Sequence, residues 1–299
     1  MASGVGPQSG KIALIFHALR DCHWELACIK STEMDSAKQG SQISDLAAKA
    51  ALAPRHMLDP FFKESAKEIL LALARNPHLL ERDLLRLLER KDLPAEVLRE
   101  IAAHKETARN YSVKFALARH PRAPRLISLP ILKFLYLFDL VRVVQTPAVP
   151  SDIKMAAEED ILKKAETAPR GVRVTLARRA SGRVAAGLLS TEDRELIQAC
   201  LDNPFLTEAH VTKGLGFGKF PTPAVELIAR HPRWSSRYDV RLALIRHPAT
   251  PFAQVSEFIP NMTVNDLKDV CLDRRMPEQV RRLIVTHCAE RRSLQRRVT

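Results

Sequence analysis

The sequence predicts an all-α fold, a right-handed α-solenoid of short HEAT-like helical hairpins present in two tandem internal copies. Three observations lead to this prediction: the composition, an internal repeat, and prolines that recur at the expected ends of helices. Leu, Ala and Arg are abundant among the 299 residues, aromatic residues make up only 5%, and no Asn-Gly or Asp-Gly hairpin turn occurs. Such a composition favours helices over strands.

The internal repeat appears when residues 76–124 are laid over residues 203–251 without a gap. Identical residues then coincide along the whole overlap, among them Asn76 with Asn203, His104 with His231, Tyr111 with Tyr238, and 119–121 with 246–248. Self-similarity at a fixed spacing is typical of stacked repeats, which present an extended surface. The predicted divisions are an N-terminal extension over 1–42, partly disordered, a first copy over 43–169, a second copy over 170–291, and a basic tail over 292–299.

From about Ser44 the chain is predicted to form helices of 9–15 residues that are separated by prolines. In the segment 113–121, apolar residues recur on one stripe of a helix and Pro121 ends it. A second proline, such as Pro124, then opens the next helix at its first position, where no hydrogen bond is lost. Upstream of the gapless overlap, Ala51–Arg55 resembles Thr175–Arg179 with a small difference in length.

Four histidines recur in phase at the predicted helix ends, namely His104, His120, His231 and His247. They suggest either a ladder for metal binding and acid–base chemistry or a set of helix caps. The equivalent positions elsewhere hold Asn76, Asn203 and Arg179, which share hydrogen-bonding ability but no catalytic role. Capping at the helix C-terminus, where a cation also complements the helix dipole, is therefore the favoured interpretation.

The helix 240–248, followed by Thr250-Pro251 and a further apolar helix, resembles the leucine-rich-repeat-variant and HEAT-like α-solenoids. The resemblance covers about 240 residues and implies an interaction scaffold. A few such proteins bind nucleic acid, including the HEAT-like alkylpurine DNA glycosylases, and some variant-repeat proteins carry a cysteine-ligated cluster before the repeats. Here Cys22, His23 and Cys28 form the close Cys/His group, but no second ligand pair follows at metal-site spacing, so neither metal nor cofactor is predicted.

The net charge of +13 favours an anionic partner. The segment from Arg170 onward carries 22 of the Lys and Arg residues and 13 of the Asp and Glu residues, so the second half is the more basic. Several basic positions recur in phase and would line up as ladders along a solenoid, although solvated helix faces are an alternative explanation. Together with one tryptophan, the candidate anionic-partner residues are Lys114, Arg119, Arg173, Arg178, Arg179, Arg233, Trp234, Arg237, Arg241 and Arg246.

Two further segments allow alternative interpretations. The Gly214–Lys219 segment resembles a phosphate-binding loop but lacks its spacing, so a flexible turn that replaces the end of a helix is favoured. Phe134, Tyr136 and Phe138 lie in an apolar run that we expect the next repeat to cover. A hydrophobic partner site at these aromatic residues is the alternative.

The cysteines and the N-terminal residues bear on the cell compartment and on the start of the chain. Five cysteines at irregular spacing indicate a reducing, cytoplasmic location. Residues 1–33 lack a convincing secretory signal, and translation from Met34 is one hypothesis. The apolar stretch 126–144 contains Lys133, Asp139 and Arg142, so it is predicted to be a buried helix and no membrane contact is expected.

No catalytic motif of the hydrolase, metalloprotease or dinucleotide-binding type is present, so we expect a protein without enzymatic activity and without a small-molecule substrate. The expected function is a scaffold that binds a partner protein with an acidic surface through a repeat-built groove or edge. The alternative is a nucleic-acid-binding solenoid, either sequence-independent or similar to the HEAT-like DNA glycosylases.

Overall fold

A computed structural model describes residues 40–273 and 276–298, with side chains described as far as Arg291. All regular secondary structure in these ranges is helical and none of it is β-strand, so the predicted all-α fold is confirmed for them. The chain forms two compact units, one ending at Leu117 and the other beginning at Ala118. This division does not test the predicted boundary after residue 169, because stacked repeats contact only their neighbours and can be divided at several joints.

The first unit consists of short helices and two 3-10 turns. Helix α2 packs against α4, and Leu70, Leu73, Leu84, Leu98 and Ile101 are buried. The elements are α1 over 40–52, the 3-10 turns Arg55–Met57 and Asp59–Lys63, α2 Lys67–Ala74, α3 Glu81–Leu88, α4 Ala95–Ala103, α5 Lys105–Arg109 and α6 Tyr111–Ala118, whose last residue belongs to the second unit.

The second unit continues the same pattern of short helices with one longer helix at its end. Its elements are α7 Arg125–Leu132, α8 Leu137–Gln145, α9 Ser151–Glu166, α10 Arg170–Arg179, α11 Gly182–Leu188, α12 Arg194–Leu201, α13 Glu208–Gly216, α14 Thr222–Arg230, α15 Pro232–Ser235, α16 Tyr238–Arg246, α17 Phe252–Phe258, the 3-10 turn Ile259–Asn261, α18 Val264–Cys271 and α19 Glu278–Val298.

Helices of the second unit pack side by side in two rows. Helix α12 lies between α10 and α14, and α11, α13 and α16 continue from α9 in what we call the α9–α16 row. One apolar core runs from α10 to α19 and includes Leu196, Ile197, Leu201, Val225 and Leu244. Helices as short as these are marginal alone, so each is stabilised by burying one face against its neighbours.

The prolines lie one residue earlier than predicted. Pro94, Pro124, Pro150, Pro169 and Pro251 each occupy the position before the first helical residue, with an extended backbone, and Pro221 does the same before α14. A proline has no N–H to satisfy and its φ is fixed near −65°, which suits this flanking position as well as the first turn. Prolines therefore precede the helices as predicted, but each lies one residue before the predicted helical position.

Eight helices begin at positions that are separated by the same 127 residues. The pairs are α2 with α12, α3 with α13, α4 with α14, α5 with α15, α6 with α16, α7 with α17, α8 with α18 and α9 with α19. Helix ends in folded proteins are usually uncertain by one or two residues, so agreement at eight starts is a close match. The helix starts thus recur at the spacing of the sequence repeat.

Candidate anion-binding surface

Asn76 joins three segments of the first unit through a fully buried side chain. Its Nδ2 donates to the carbonyl oxygens of Ala50 at 2.8 Å and Ala53 at 2.9 Å, and its Oδ1 accepts from the backbone N–H of His78 at 2.8 Å. These bonds use both donors and one acceptor site of the amide. Asn76 is therefore a structural joint between α1 and α2 rather than part of a binding surface.

Asn203 makes the same three bonds in the second unit. Its Nδ2 donates to Ala177 O at 2.5 Å and Ala180 O at 3.0 Å, and its Oδ1 accepts from the N–H of Phe205 at 2.7 Å. All four residues lie 127 positions after their counterparts. The predicted match of 51–55 to 175–179 was therefore wrong by three residues, because Ala50 and Ala53 correspond to Ala177 and Ala180.

The four histidines share one hydrogen-bond geometry. The Nδ1 atom of each accepts from the backbone N–H two residues later at 3.2 Å, in the pairs His104/Glu106, His120/Arg122, His231/Arg233 and His247/Ala249. In this geometry the Nδ1 atom acts as a hydrogen-bond acceptor for a backbone N–H. His104 and His231 thereby cap the N-termini of α5 and α15, whereas His120 and His247 bond a turn, so the predicted capping of the preceding helix C-terminus was wrong.

The remaining ring nitrogens do not form a metal or acid–base ladder. His104 Nε2 lies 3.2 Å from Asn76 O and His231 Nε2 lies 3.1 Å from Asp202 Oδ1. His247 Nε2 is buried and meets no hydrogen-bond partner among the described residues, and burial lowers the pKa of this imidazole. Within residues 40–273 and 276–291, no three His, Cys, Asp or Glu side chains are grouped closely enough to hold a metal ion.

Two of the candidate basic residues are held by backbone carbonyls. Lys114 Nζ donates to Ala108 O at 2.7 Å, and Arg241 Nε donates to Ser235 O, 127 positions later. The Arg241 guanidinium also lies over the Phe258 ring at 5.8 Å. Both acceptors lie in the last turn of a short helix, where carbonyl oxygens carry partial negative charge.

Carbonyl oxygens bind several other cations in the same way. Lys164 holds the carbonyls of residues 133 and 135 at 3.1 and 2.5 Å, and Arg291 holds those of 260 and 262 at 2.7 Å each. Arg90 and Arg233 each hold two carbonyls of the preceding segment at 2.6–3.0 Å. Part of the positive charge is thus balanced by helix ends and turns, and it needs no external acidic partner.

The proposal that Trp234 binds a ligand is not supported by its position. Trp234 is only 2% exposed, its Nε1 donates to Leu201 O at 3.0 Å, and Arg233 covers its ring at 4.4 Å. A base or peptide could not stack on this ring without opening the core. The aromatic-plus-basic cluster in sequence is therefore a packing unit, in which Arg233 also bonds two carbonyls.

The other candidate basic residues have different surroundings. Arg119 Nε donates to Thr146 Oγ1 at 3.1 Å, and Arg173 is half-buried. Arg178, Arg179, Arg237 and Arg246 are exposed, and no ion pair within the described residues includes their guanidinium groups. Arg237 and Arg246 line two different cavities, so the ten residues are not gathered into one patch.

The Gly214–Lys219 segment is neither a phosphate loop nor a flexible turn that replaces a helix end. Helix α13 continues to Gly216, and Gly218 adopts a φ of +61°. The N–H groups of Gly218 and Lys219 bond the carbonyls of Leu215 at 3.0 Å and Gly214 at 3.2 Å. This is a Schellman C-cap, in which glycine supplies the left-handed residue. Its backbone N–H groups bond carbonyls at the C-terminal end of α13 and do not point at a phosphate site.

A cavity on the α9–α16 row has the most consistently basic lining of the cavities found among the described residues, and no motif in the sequence predicts it. It has a volume of about 380 Å³ and lies beside α9, α11 and α13. Its lining residues are Leu162, Arg183, Ala186, Gly187, Ser190, His210, Lys213, Gly214, Phe217, Lys219 and Phe220. The lining therefore contains three cations and no carboxylate. The available signal in sequence was the pair Lys213 and Lys219 on either side of five glycine-rich positions.

A second cavity, of about 630 Å³, lies beside α13 and α16 on the same row. Phe217 borders both cavities and its side chain is 65% exposed. Arg246, Asp239 and Asp273 line the second cavity, so its charges are mixed. The surface of the α9–α16 row thus has a basic portion beside α11 and a mixed portion beside α16.

The aromatic residues after α7 are exposed, contrary to the expectation that the next repeat covers them. Phe134 is 67% and Tyr136 70% exposed, and Phe138 is 39% exposed. Residues 133–136 lie between α7 and α8 rather than inside one long helix, and Lys164 binds two of their carbonyls. The alternative of a hydrophobic partner site here stays a prediction.

No family model, curated protein or solved structure matches the chain. The Cys22, His23 and Cys28 group and the hypothesis of a start at Met34 fall outside the described residues. Of the helices in the described ranges, none is both long and apolar enough to cross a membrane.

Proposed function

We propose that the chain is a non-enzymatic helical-repeat scaffold. It binds the acidic surface of a partner protein through a groove or edge built by the repeats. In this proposal the polypeptide is a right-handed α-solenoid of two tandem copies, located in the cytoplasm. The shared helix starts and the matching Asn76 and Asn203 joints support the two copies. The three buried or half-buried free cysteines, Cys200, Cys271 and Cys288, are compatible with a reducing compartment.

One observation carries the functional proposal. In the second unit, the side chains of Arg178, Arg179, Arg237, Arg246, Lys213 and Lys219 are exposed and form no ion pair with a carboxylate of the described residues. The charge of Arg246 nevertheless contributes to lowering the pKa of Asp266. Exposed cations of this kind attract acidic surfaces and accelerate their association. Burial of Trp234 removes the ring that would have stacked a base, so the protein partner is favoured over nucleic acid.

Capture of the partner is expected to depend on the exposed arginines. Replacing Arg178, Arg179 and Arg246 together by glutamine should reduce capture from a lysate of the source organism about fivefold at low salt, because three long-range attractions are lost. Quantitative mass spectrometry of proteins retained by the immobilised full chain measures this. Arg241 is left intact, since its bond to Ser235 O and its contact with Phe258 are structural.

A matched control removes three exposed arginines from the first unit, at Arg82, Arg99 and Arg109. This control should capture the partner as the wild type does. Equal loss in both variants would show that only overall charge matters, and full capture by the test variant would contradict the proposal. Random-sequence DNA is the probe for the alternative partner. If the chain binds it, and if the affinity falls on the order of 10³-fold between 50 and 200 mM salt, as expected for several phosphate contacts, the result would support nucleic acid instead.

A further inference from the structure

The cavity beside α11 and α13 lacks acidic residues that are present at the equivalent positions of the first copy. In the first copy, Asp59 pairs with Arg86 at 2.5 Å, Asp92 with Arg90 at 2.8 Å, and Asp83 with Arg55 at 3.5 Å. The residues 127 positions after the three acids are Ala186, Lys219 and His210. All three line the cavity, so each acid of the first copy is replaced by a neutral or basic lining residue.

In one of these three pairs the basic partner is retained although its acid is lost, whereas the positions of Arg90 and Arg55 hold Phe217 and Gly182. Lys213 stands 127 positions after Arg86, and Ala186 stands where Asp59 would neutralise it. Neither Lys213 nor Lys219 forms an ion pair with any carboxylate of the described residues. Lys213 lies in the last turn of α13 and Lys219 lies over the Phe217 ring at 5.4 Å. Two unneutralised lysines beside one cavity repel each other, and such local conflicts are characteristic of functional sites.

The two glycines near the lysines have different surroundings. Gly214 replaces Leu87 of the first copy, and the Phe220 ring packs so closely on it that a Cβ there would lie 2.0 Å from the ring, so Phe220 fills the place of the lost side chain. Gly216 replaces Glu89, has open space beside it and lines the neighbouring cavity. The second copy therefore lacks one more carboxylate near the lysines.

The donors suit a phosphate monoester better than a carboxylate. Arg183 faces Glu158 and Glu159 at 3.4 Å each, so its guanidinium fork is already engaged and cannot clamp a planar carboxylate with both arms. The two lysines act as movable point charges, and their combined charge matches the charge of nearly −2 on a phosphate monoester at pH 7. The Ser190 hydroxyl also lines the cavity and can donate to a phosphate oxygen.

We propose that the cavity lined by Lys213, Lys219, Ser190 and His210 is a binding site for a phosphate monoester carried by the partner protein. The inference rests on the proposed function for the source of the phosphate, whereas the site itself rests on the geometry of the second copy. Phe217, exposed at the edge of the cavity, lies where it would pack against residues beside the phosphorylated side chain.

Titration of the purified full chain, followed by backbone amide chemical shifts, tests the site. The probes are inorganic phosphate, a phosphoserine pentapeptide with glycine at the other positions, the same peptide without phosphate, and adenosine monophosphate. We expect inorganic phosphate and the phosphopeptide to shift the amides of 213–219 with a Kd of about 1 mM or tighter. The unphosphorylated peptide, and sodium chloride at equal ionic strength, should leave these amides unchanged.

The variants Lys213→Gln and Lys219→Gln should each weaken phosphopeptide binding about tenfold, as expected when one charge-assisted contact is lost. Arg86→Gln, which removes the equivalent charge of the first copy, is the matched control and should bind as the wild type does. Lys213→Arg should retain binding. Both lysines are exposed, and unchanged amide shifts elsewhere in the spectrum will verify the fold of each variant.

Equal shifts with sodium chloride, or unweakened binding by both glutamine variants, would overturn the phosphate site. Adenosine monophosphate that binds more than about tenfold tighter than the phosphopeptide would overturn the assignment of the phosphate to a protein. These outcomes are separate from the capture experiment. If the titration shows no phosphate binding, the expected loss of capture on replacing Arg178, Arg179 and Arg246 still stands. If the capture experiment fails, a positive titration still supports the phosphate site.

Discussion

Replacing Asn203 by alanine is expected to lower the free energy of unfolding by about 3 kcal/mol. The substitution removes three hydrogen bonds and leaves the carbonyls of Ala177 and Ala180 and the N–H of Phe205 without their partner. Because Asn203 is fully buried, water cannot replace the lost amide without opening the joint between α10 and α12. Urea denaturation, followed by helical circular dichroism, measures the change.

Asn76→Ala should have a similar effect, since Asn76 makes the same three bonds in the first unit. Gln198→Ala is the control, because the Gln198 amide is exposed and bonds only Asp202, and it should change the unfolding free energy by no more than about 0.5 kcal/mol. A loss below about 1 kcal/mol for both asparagine variants would show that the joints do not carry the stability assigned to them.

Replacing Trp234 by alanine is expected to lower the unfolding free energy by about 3–5 kcal/mol. The loss has three sources: the cavity left by the ring, the unsatisfied Leu201 carbonyl, and the Arg233 guanidinium that covers the ring. Trp234→Phe keeps an aromatic ring and loses the Nε1 bond, so its loss should be nearer about 1 kcal/mol, with some cavity cost added. Urea denaturation of the three proteins gives the values.

The same series distinguishes a core residue from a binding residue. A ligand-binding tryptophan on the surface would change partner capture while leaving the unfolding free energy nearly constant. Phe217→Ala, at an exposed ring, is the stability control and should cost no more than about 0.5 kcal/mol. An unchanged unfolding free energy for Trp234→Ala would contradict the placement of Trp234 in the core.

The helical fold was predictable because its signals are local. The prolines before the helices and the apolar stripes mark their ends within a residue or two. The upstream alignment failed by three residues because nothing local in 43–55 fixes its register. That register is set by Asn76, through bonds to carbonyls 26 and 23 positions earlier.

The candidate site was less predictable because charge in a sequence does not show what neutralises it. Lys114, Arg233 and Arg241 bond carbonyls, which leave no trace in a residue count. Trp234 was misassigned because its counterpart, Thr107, is also buried but much smaller, so the alignment gave no sign of a packing role. The basic character of the cavity depends on the loss of an acidic partner for Lys213. That loss becomes visible only when Asp59 is aligned with Ala186 at the spacing of 127 residues.

A crystal structure of the full chain would test the central claim, that two copies share one helical frame at a spacing of 127 residues. Residues 67–103 and 194–230 should then superpose helix on helix, with Asn76 and Asn203 each binding the carbonyls 26 and 23 positions earlier. A structure in which α12–α14 does not superpose on α2–α4, or in which either asparagine side chain faces solvent, would contradict the account.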